Sequence, residues 1–134
     1  MDLLLDTHTF LWFTQQSNQL SATALTHIMD GRNNRYLSAA SIWEMAIKLS
    51  NPISPGQFAL NQPLGQFLEQ QLTYCKLTLL PIEVAHVNVL ATLPFPTGHK
   101  DPFDRLIIAQ SLSLNIPIIG IDTAFDLYAV TRIW

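Results

Sequence analysis

Two stretches of this sequence are apolar over too few residues to make a helix, and each ends on an aspartate. They are Leu3-Leu4-Leu5 before Asp6, and Pro117-Ile118-Ile119-Gly120-Ile121 before Asp122. A strand that is apolar at successive rather than alternate positions has to be covered on both faces, which is the pattern of a parallel sheet with helices above and below it. Tyr36-Leu37-Ser38 and Leu77-Thr78-Leu79-Leu80 read as two further strands, and Thr131 to Trp134 as a last edge strand. Helical segments alternate with them. The first contains Phe10, Leu11 and Trp12; the next spans Leu20 to Met29 with Ser21 as its cap. Others run from Ser41 to about Leu49, Leu64 to Leu72, Glu83 to Leu93, Asp101-Pro102 to Leu114, and Thr123 to Tyr128. Asn51 to Pro63, with three prolines and a glycine, and Pro94 to Gly98 read as loops. The alternation predicts an α/β fold. No repeat or long linker divides the chain, so a single domain over residues 1–134 is expected.

Composition closes off several functions. Hydrophobic residues make up 49% and charged residues 13%, far from the signature of disorder. The lone Cys75 excludes an internal disulfide framework and a cysteine-based zinc cage, and reads as a small apolar residue. The start, Met1-Asp2 with its apolar run broken at Asp6, does not read as a signal peptide. The apolar stretch Leu106 to Ile121 carries Gln110, Ser111, Ser113, Asn115 and Pro117, against a membrane span. The expectation is a soluble, cytoplasmic protein. A net charge of −3 looks wrong for a nucleic-acid binder, but where the ten acids sit matters more than their sum.

In open α/β sheets the ligand crevice lies at the carboxyl ends of the strands. Asp6 and Asp122 directly follow strands, while Glu44 and Asp104 are expected in the first turns of the helices opening at Ser41 and Asp101. Each acid also has a plain structural reading. Ser41-Ile42-Trp43-Glu44 matches a capping box, Asp101-Pro102-Phe103-Asp104 a capped helix start, and Asp6 and Asp122 precede threonines as caps do. Read jointly, four crowded carboxylates repel one another, and burial raises that cost unless a cation sits among them. Mg²⁺ and Mn²⁺ prefer such oxygen ligands and, so held, activate water and neutralise charge at phosphorus.

These residues carry a resemblance. Leu3-Leu4-Leu5-Asp6-Thr7-His8 with Trp12, Ser38 to Glu44 with Lys48, His99 to Arg105 with Ala109-Gln110, and Ile121-Asp122 with Phe125 and Tyr128 stand in the order of PIN-domain nucleases. The chain most closely resembles the VapC-type toxins of type II toxin–antitoxin pairs. The resemblance implies a three-layer α/β/α sandwich around a mainly parallel sheet of four to five strands. It also implies an endoribonuclease that cleaves RNA through a water activated by Mg²⁺ or Mn²⁺, acting as a toxin. Asp6, Glu44, Asp104 and Asp122 would form the acidic, catalytic set, with Asp6 and Asp104 as principal metal ligands. Asp101 reads first as a helix cap and second as a further ligand. A cognate antitoxin and a homodimer would be the partners.

The neighbours of the acids have two readings each. Lys48, four residues after Glu44, would pair with it or contact a substrate phosphate. Arg105 would form an ion pair with a nearby acid or touch RNA; His8 and His99 would hydrogen-bond structurally rather than ligate metal. His27 and His86 read as structural. Trp12, Phe13 and Trp43 would pack in the core or a dimer, or stack on bases. Two rival functions stand beside the nuclease: a catalytically silent PIN-like module binding RNA or protein, and a phosphatase-type fold with Asp6 as nucleophile. The latter lacks the second aspartate expected at position 8, which is His8.

Overall fold

The computed structural model describes residues 1–51 and 59–134, so most of the loop expected over Asn51 to Pro63 lies outside the described residues. Among the described residues five strands form one sheet: β1 (Asp2–Leu5), β2 (Asn34–Ser38), β3 (Leu77–Leu80), β4 (Ile118–Ile119) and β5 (Arg132–Ile133). Their order is β3-β2-β1-β4-β5, and every neighbouring pair is parallel. The helices are α1 (Thr7–Thr14), α2 (Ala22–Met29), α3 (Ala39–Ser50), α4 (Leu64–Tyr74), α5 (Val84–Ala91) and α6 (Pro102–Leu114), with a 3-10 turn at Thr123–Leu127.

β1 explains its own composition. Leu3, Leu4 and Leu5 are each fully buried. Leu3 and Leu5 pack on one side with Phe10 of α1, Ile28 of α2 and Phe67 of α4. Leu4 faces the other way, onto Leu106 and Ile108 of α6 and Phe125 of the 3-10 turn. Each such side chain contributes about 1.5–3 kcal/mol by leaving water. The result is the three-layer arrangement, with the sheet in the middle.

The register positions the site. Leu5 lies opposite Leu37 of β2 and Ile119 of β4, so the chain leaves all three central strands at one edge. It runs outward from β1 to β2 and β3, then returns to β4 and β5 on the other side of β1. The sheet order therefore reverses beside β1, and a crevice opens at such a switch point.

Several boundaries shift by a residue or two from the sequence reading, and three of the differences have a clear cause. β2 begins at Asn34, because the Asn34 N–H donates to Met1 O and extends the pairing backward. β4 is confined to Ile118–Ile119: its outer neighbour β5 is equally short, and beyond Gly120 the chain departs toward Asp122. The third concerns α3, which starts at Ala39, directly after β2, with Ser38 rather than Ser41 as its cap. Ser38 Oγ accepts from the Ala40 N–H and donates to the buried Gln110 Oε1, whose amide in turn donates to Pro81 O. A capping hydroxyl of this kind is worth about 1 kcal/mol. The Ser41–Glu44 capping box is thus absent: Ser41 lies inside the helix, its Oγ buried and without a hydrogen-bond partner among the described residues. Glu44 falls in the second turn of α3, released from any capping duty.

Candidate active site

Asp6 ends β1 and caps α1, its Oδ1 accepting from the Thr9 N–H at 2.7 Å. Asp122 follows β4 and caps the 3-10 turn, its Oδ1 accepting from the Ala124 N–H at 2.8 Å. Asp101 caps α6 and accepts from the N–H groups of Phe103 and Asp104, with Pro102 at the first helical position where its missing N–H costs nothing. The capping readings of these three acids hold. They do not exclude the site, since each cap is made through Oδ1 at the carboxyl edge of the sheet.

By their contacts and charges the acids fall into two sets. In the first, Thr7 Oγ1 donates to Glu44 Oε1 at 2.6 Å, while Lys48 Nζ pairs with Glu44 Oε2 at 2.9 Å. Burial pushes the Asp6 carboxyl above its ordinary range; Thr9 hydrogen bonds and the His8 charge oppose this, and the charge of nearby Glu44 adds to it. In the second set, burial first, and then the charges of Asp101 and Asp122, push the half-buried Asp104 up to about 6, against the opposing hydrogen bond and charge of His99. Asp6 and Asp104 thus each feel the charge of at least one other acid.

Sequence reading missed how these carboxylates are held. Gly120 lies against Asp6: a Cβ there would stand 2.8 Å from Asp6 Oδ2 and 2.9 Å from Phe125 Cε2. A glycine inside a strand pattern signals such a close approach, so this one was readable in principle. His99 Nε2 lies 3.2 Å from Asp104 Oδ2, and its Nδ1 lies 2.7 Å from the Tyr128 hydroxyl. Arg105 requires a correction. It is buried, and among the described residues it pairs with no acid: its guanidinium donates to Pro94 O, Leu93 O and the Tyr128 hydroxyl, with the exposed Phe95 ring 3.6 Å away over its face. Two carbonyls at the end of one loop match the guanidinium fork as well as a carboxylate does. His8 is exposed against Trp12, His86 closes the cap of α5, and His27 bonds the carbonyl one turn back. Trp43 is half exposed, edge-on to Phe103.

The donor set suits a hard divalent cation in kind: it is all oxygen and net negative, and Asp6 and Asp104 hold protons more tightly than free carboxylates do. Among the described residues, no three His, Cys, Asp or Glu side chains stand close enough to hold one ion jointly. Glu44 is turned to Thr7 and Lys48, and Asp104 to His99. Chelation would therefore exchange at least one of these partners for the ion.

A pH dependence follows from Asp104. An acid with its folded pKa above its unfolded value binds protons better when folded, so its contribution to stability is full below about 4 and lost as pH rises through about 6. Asp6 acts with the same sign. Asp30 and Asp126, held low by Arg32 and Arg132, act only below that window. The metal-free protein is expected to be more resistant to urea at pH 5 than at pH 7.5, by about 1–2 kcal/mol after allowance for solvent screening. Asp104→Asn should flatten the difference, and an unchanged slope in that variant would contradict the assignment.

Comparison with known proteins points one way. The family model described as PIN domain matches residues 3–130. No curated protein matches the chain. Among solved structures, VapBC2 from Rickettsia felis bound to a DNA fragment from their promoter superposes with a TM-score of 0.67 at 12% identity, covering 98% of this chain and 97% of that one. VapBC-1 from nontypeable Haemophilus influenzae gives 0.64 at 13% identity, over 98% and 96%. FitAcB from Neisseria gonorrhoeae gives 0.59 at 17%, over 97% and 95%. At these identities the likeness is one of fold.

Proposed function

The chain belongs to the PIN domain family, whose members are generally nucleases, and on that premise we propose that it is a Mg²⁺- or Mn²⁺-dependent endoribonuclease. It acts as the toxin of a toxin–antitoxin pair, built as a single nuclease domain over residues 1–134. The observation that carries this reading is the pair of buried or half-buried aspartates, Asp6 and Asp104, each pressed beside further acids at the switch point of the sheet. Isolated carboxylates are not placed this way for stability, since burial disfavours their charged form.

Asp6, Glu44, Asp104 and Asp122 would hold the ion, with Asp101 a further candidate. When bound, it neutralises charge at the phosphate and makes water a stronger nucleophile. The chain's own residues do the positioning. Gly120 leaves room for the Asp6 carboxylate, Thr7 directs Glu44, and His99 directs Asp104. Lys48, a third exposed beside Glu44, offers a cation to a substrate phosphate once Glu44 is otherwise engaged. Arg105 is committed to the loop carbonyls, so the substrate contact expected of it passes to Lys48.

Two surfaces support the proposed partners. A groove of about 450 Å³, lined by Phe13, Leu20, Leu25, Met29, Tyr74 and Cys75, suits an antitoxin segment. Trp43, Ile47, Leu79, Val84 and Val87 are exposed apolar residues of the kind a homodimer would cover. No helix among the described residues is long and apolar enough to cross a membrane.

The test is cleavage of RNA in Mn²⁺ or Mg²⁺, with the product ends identified. Cleavage is expected to stop in EDTA and to leave 5′-phosphate and 3′-hydroxyl ends; activity persisting in EDTA, or 2′,3′-cyclic phosphates, would overturn the proposal. One observation favours the second reading, a catalytically silent module binding RNA or protein. No three potential ligands are already gathered among the described residues. That reading requires that Mn²⁺ fail to bind at Asp6 and Asp104.

A further inference from the structure

Four side chains form a continuous hydrogen-bonded line ending on Asp104: Arg105, Tyr128, His99 and the carboxylate itself. Arg105 and Tyr128 are buried, and only about a tenth of the His99 side chain is exposed. The line begins at a fixed point, because the guanidinium is anchored on Leu93 O and Pro94 O.

The chemistry of its two ends fixes the direction of the outer two hydrogen bonds. Arginine only donates, so the Tyr128 oxygen accepts from Arg105 Nη1. An ionised carboxylate only accepts, so His99 Nε2 must carry the proton directed at Asp104 Oδ2. The other ring nitrogen, Nδ1, faces the Tyr128 hydroxyl, which already accepts once from Arg105 and has its own hydrogen to give. We propose that Arg105 and Tyr128 act as positioning residues that hold the His99 ring with Nε2–H toward Asp104 and Nδ1 toward Tyr128, and that His99 in turn aims the Asp104 carboxylate at the acidic edge of the sheet. The consequence for metal binding rests on the nuclease reading; the proton arrangement does not.

The arrangement also accounts for the buried Arg105, which neither the core nor an acid explains. One guanidinium ties the loop carbonyls at residues 93 and 94 to Tyr128, and through it to the residue before Lys100. A partner that orients a ligand by a second hydrogen bond typically contributes 10- to 100-fold in metal affinity.

The experiment uses the full chain, first without metal. Long-range ¹H–¹⁵N correlation at pH 8 should show His99 with its proton at Nε2. In Tyr128→Phe the Nδ1 resonance should move as its hydrogen-bond partner is lost. A ring without a proton at Nε2, or an Nδ1 resonance indifferent to Tyr128→Phe, would overturn the proposal. Mn²⁺ affinity is measured second. His99→Leu should weaken binding about tenfold, whereas His99→Gln, whose amide can still donate to Asp104 and accept from Tyr128, should restore most of it. In an Asp104→Asn background, His99→Leu should cost nothing further. Equal affinities for the Leu variant and the wild type would refute the positioning role. A wild type that binds no Mn²⁺ would overturn the nuclease reading and the metal consequence together, while the ring resonances decide the hydrogen-bonded line in either case.

Discussion

Asp6→Asn is expected to lower the rate of RNA cleavage at saturating Mn²⁺ by about three orders of magnitude while leaving the fold intact or more stable. A factor of a thousand corresponds to roughly 4 kcal/mol of transition-state stabilisation, the scale on which a metal site contributes. The substitution is unusually clean. Asparagine caps helices as well as aspartate does, and its amide oxygen can still accept from the Thr9 N–H, so α1 keeps its start. What disappears is a charge that burial already disfavours, so the urea midpoint of the metal-free protein should rise. Lost activity and gained stability together would separate a functional carboxylate from a structural one. Activity within tenfold of the wild type would remove Asp6 from the site.

Gly120→Ala should reach a similar end without touching an acid. Its Cβ would arrive 2.8 Å from Asp6 Oδ2 and 2.9 Å from the Phe125 ring, closer than side chains tolerate. The backbone cannot withdraw easily, since the Gly120 N–H donates to Ile133 O and its carbonyl accepts from Arg132 Nη1. Asp6 therefore has to move. A displacement of about 1 Å at a reacting centre costs about a hundredfold in rate, and overpacking costs about 1–3 kcal/mol in stability. Joining Gly120→Ala to Asp6→Asn should add little to the loss from Asp6→Asn alone, because the glycine acts through that carboxylate. Fully multiplicative losses would show instead that the glycine matters for some other reason.

The sheet was legible where burial on both faces forces an unbroken apolar run, as in Leu3-Leu4-Leu5 of β1, which the strand extends by one residue to Asp2. The bounds of the edge strand β3 match the reading residue for residue. The start of α6 was equally plain, because Asp101-Pro102 is a cap followed by the one helical position that tolerates proline. The start of α3 was not. Ser38 and Ser41 both satisfy the local rule, and the choice between them depends on Gln110, far away in the chain. Arg105 was opaque for the same reason: adjacency to Asp104 suggested a charge partner, but the fold brings two carbonyls and a phenol to it first. The acids themselves were weighed as caps or as site residues; Asp6, Asp101 and Asp122 are caps. A carboxylate that caps a helix at the carboxyl edge of the sheet is not thereby excluded from a site.

The pairing of Leu4 with Ile118 also has a temporal side. Ribosomes add about 5–20 residues each second, so β1 waits roughly ten seconds for its inner neighbour to be made. Until then Asp6 has no Gly120 against it, and neither Asp104 nor Asp122 has been held in place by β4. On the proposed reading, a half-synthesised copy lacks its site, and a partner protein would have that interval in which to be ready.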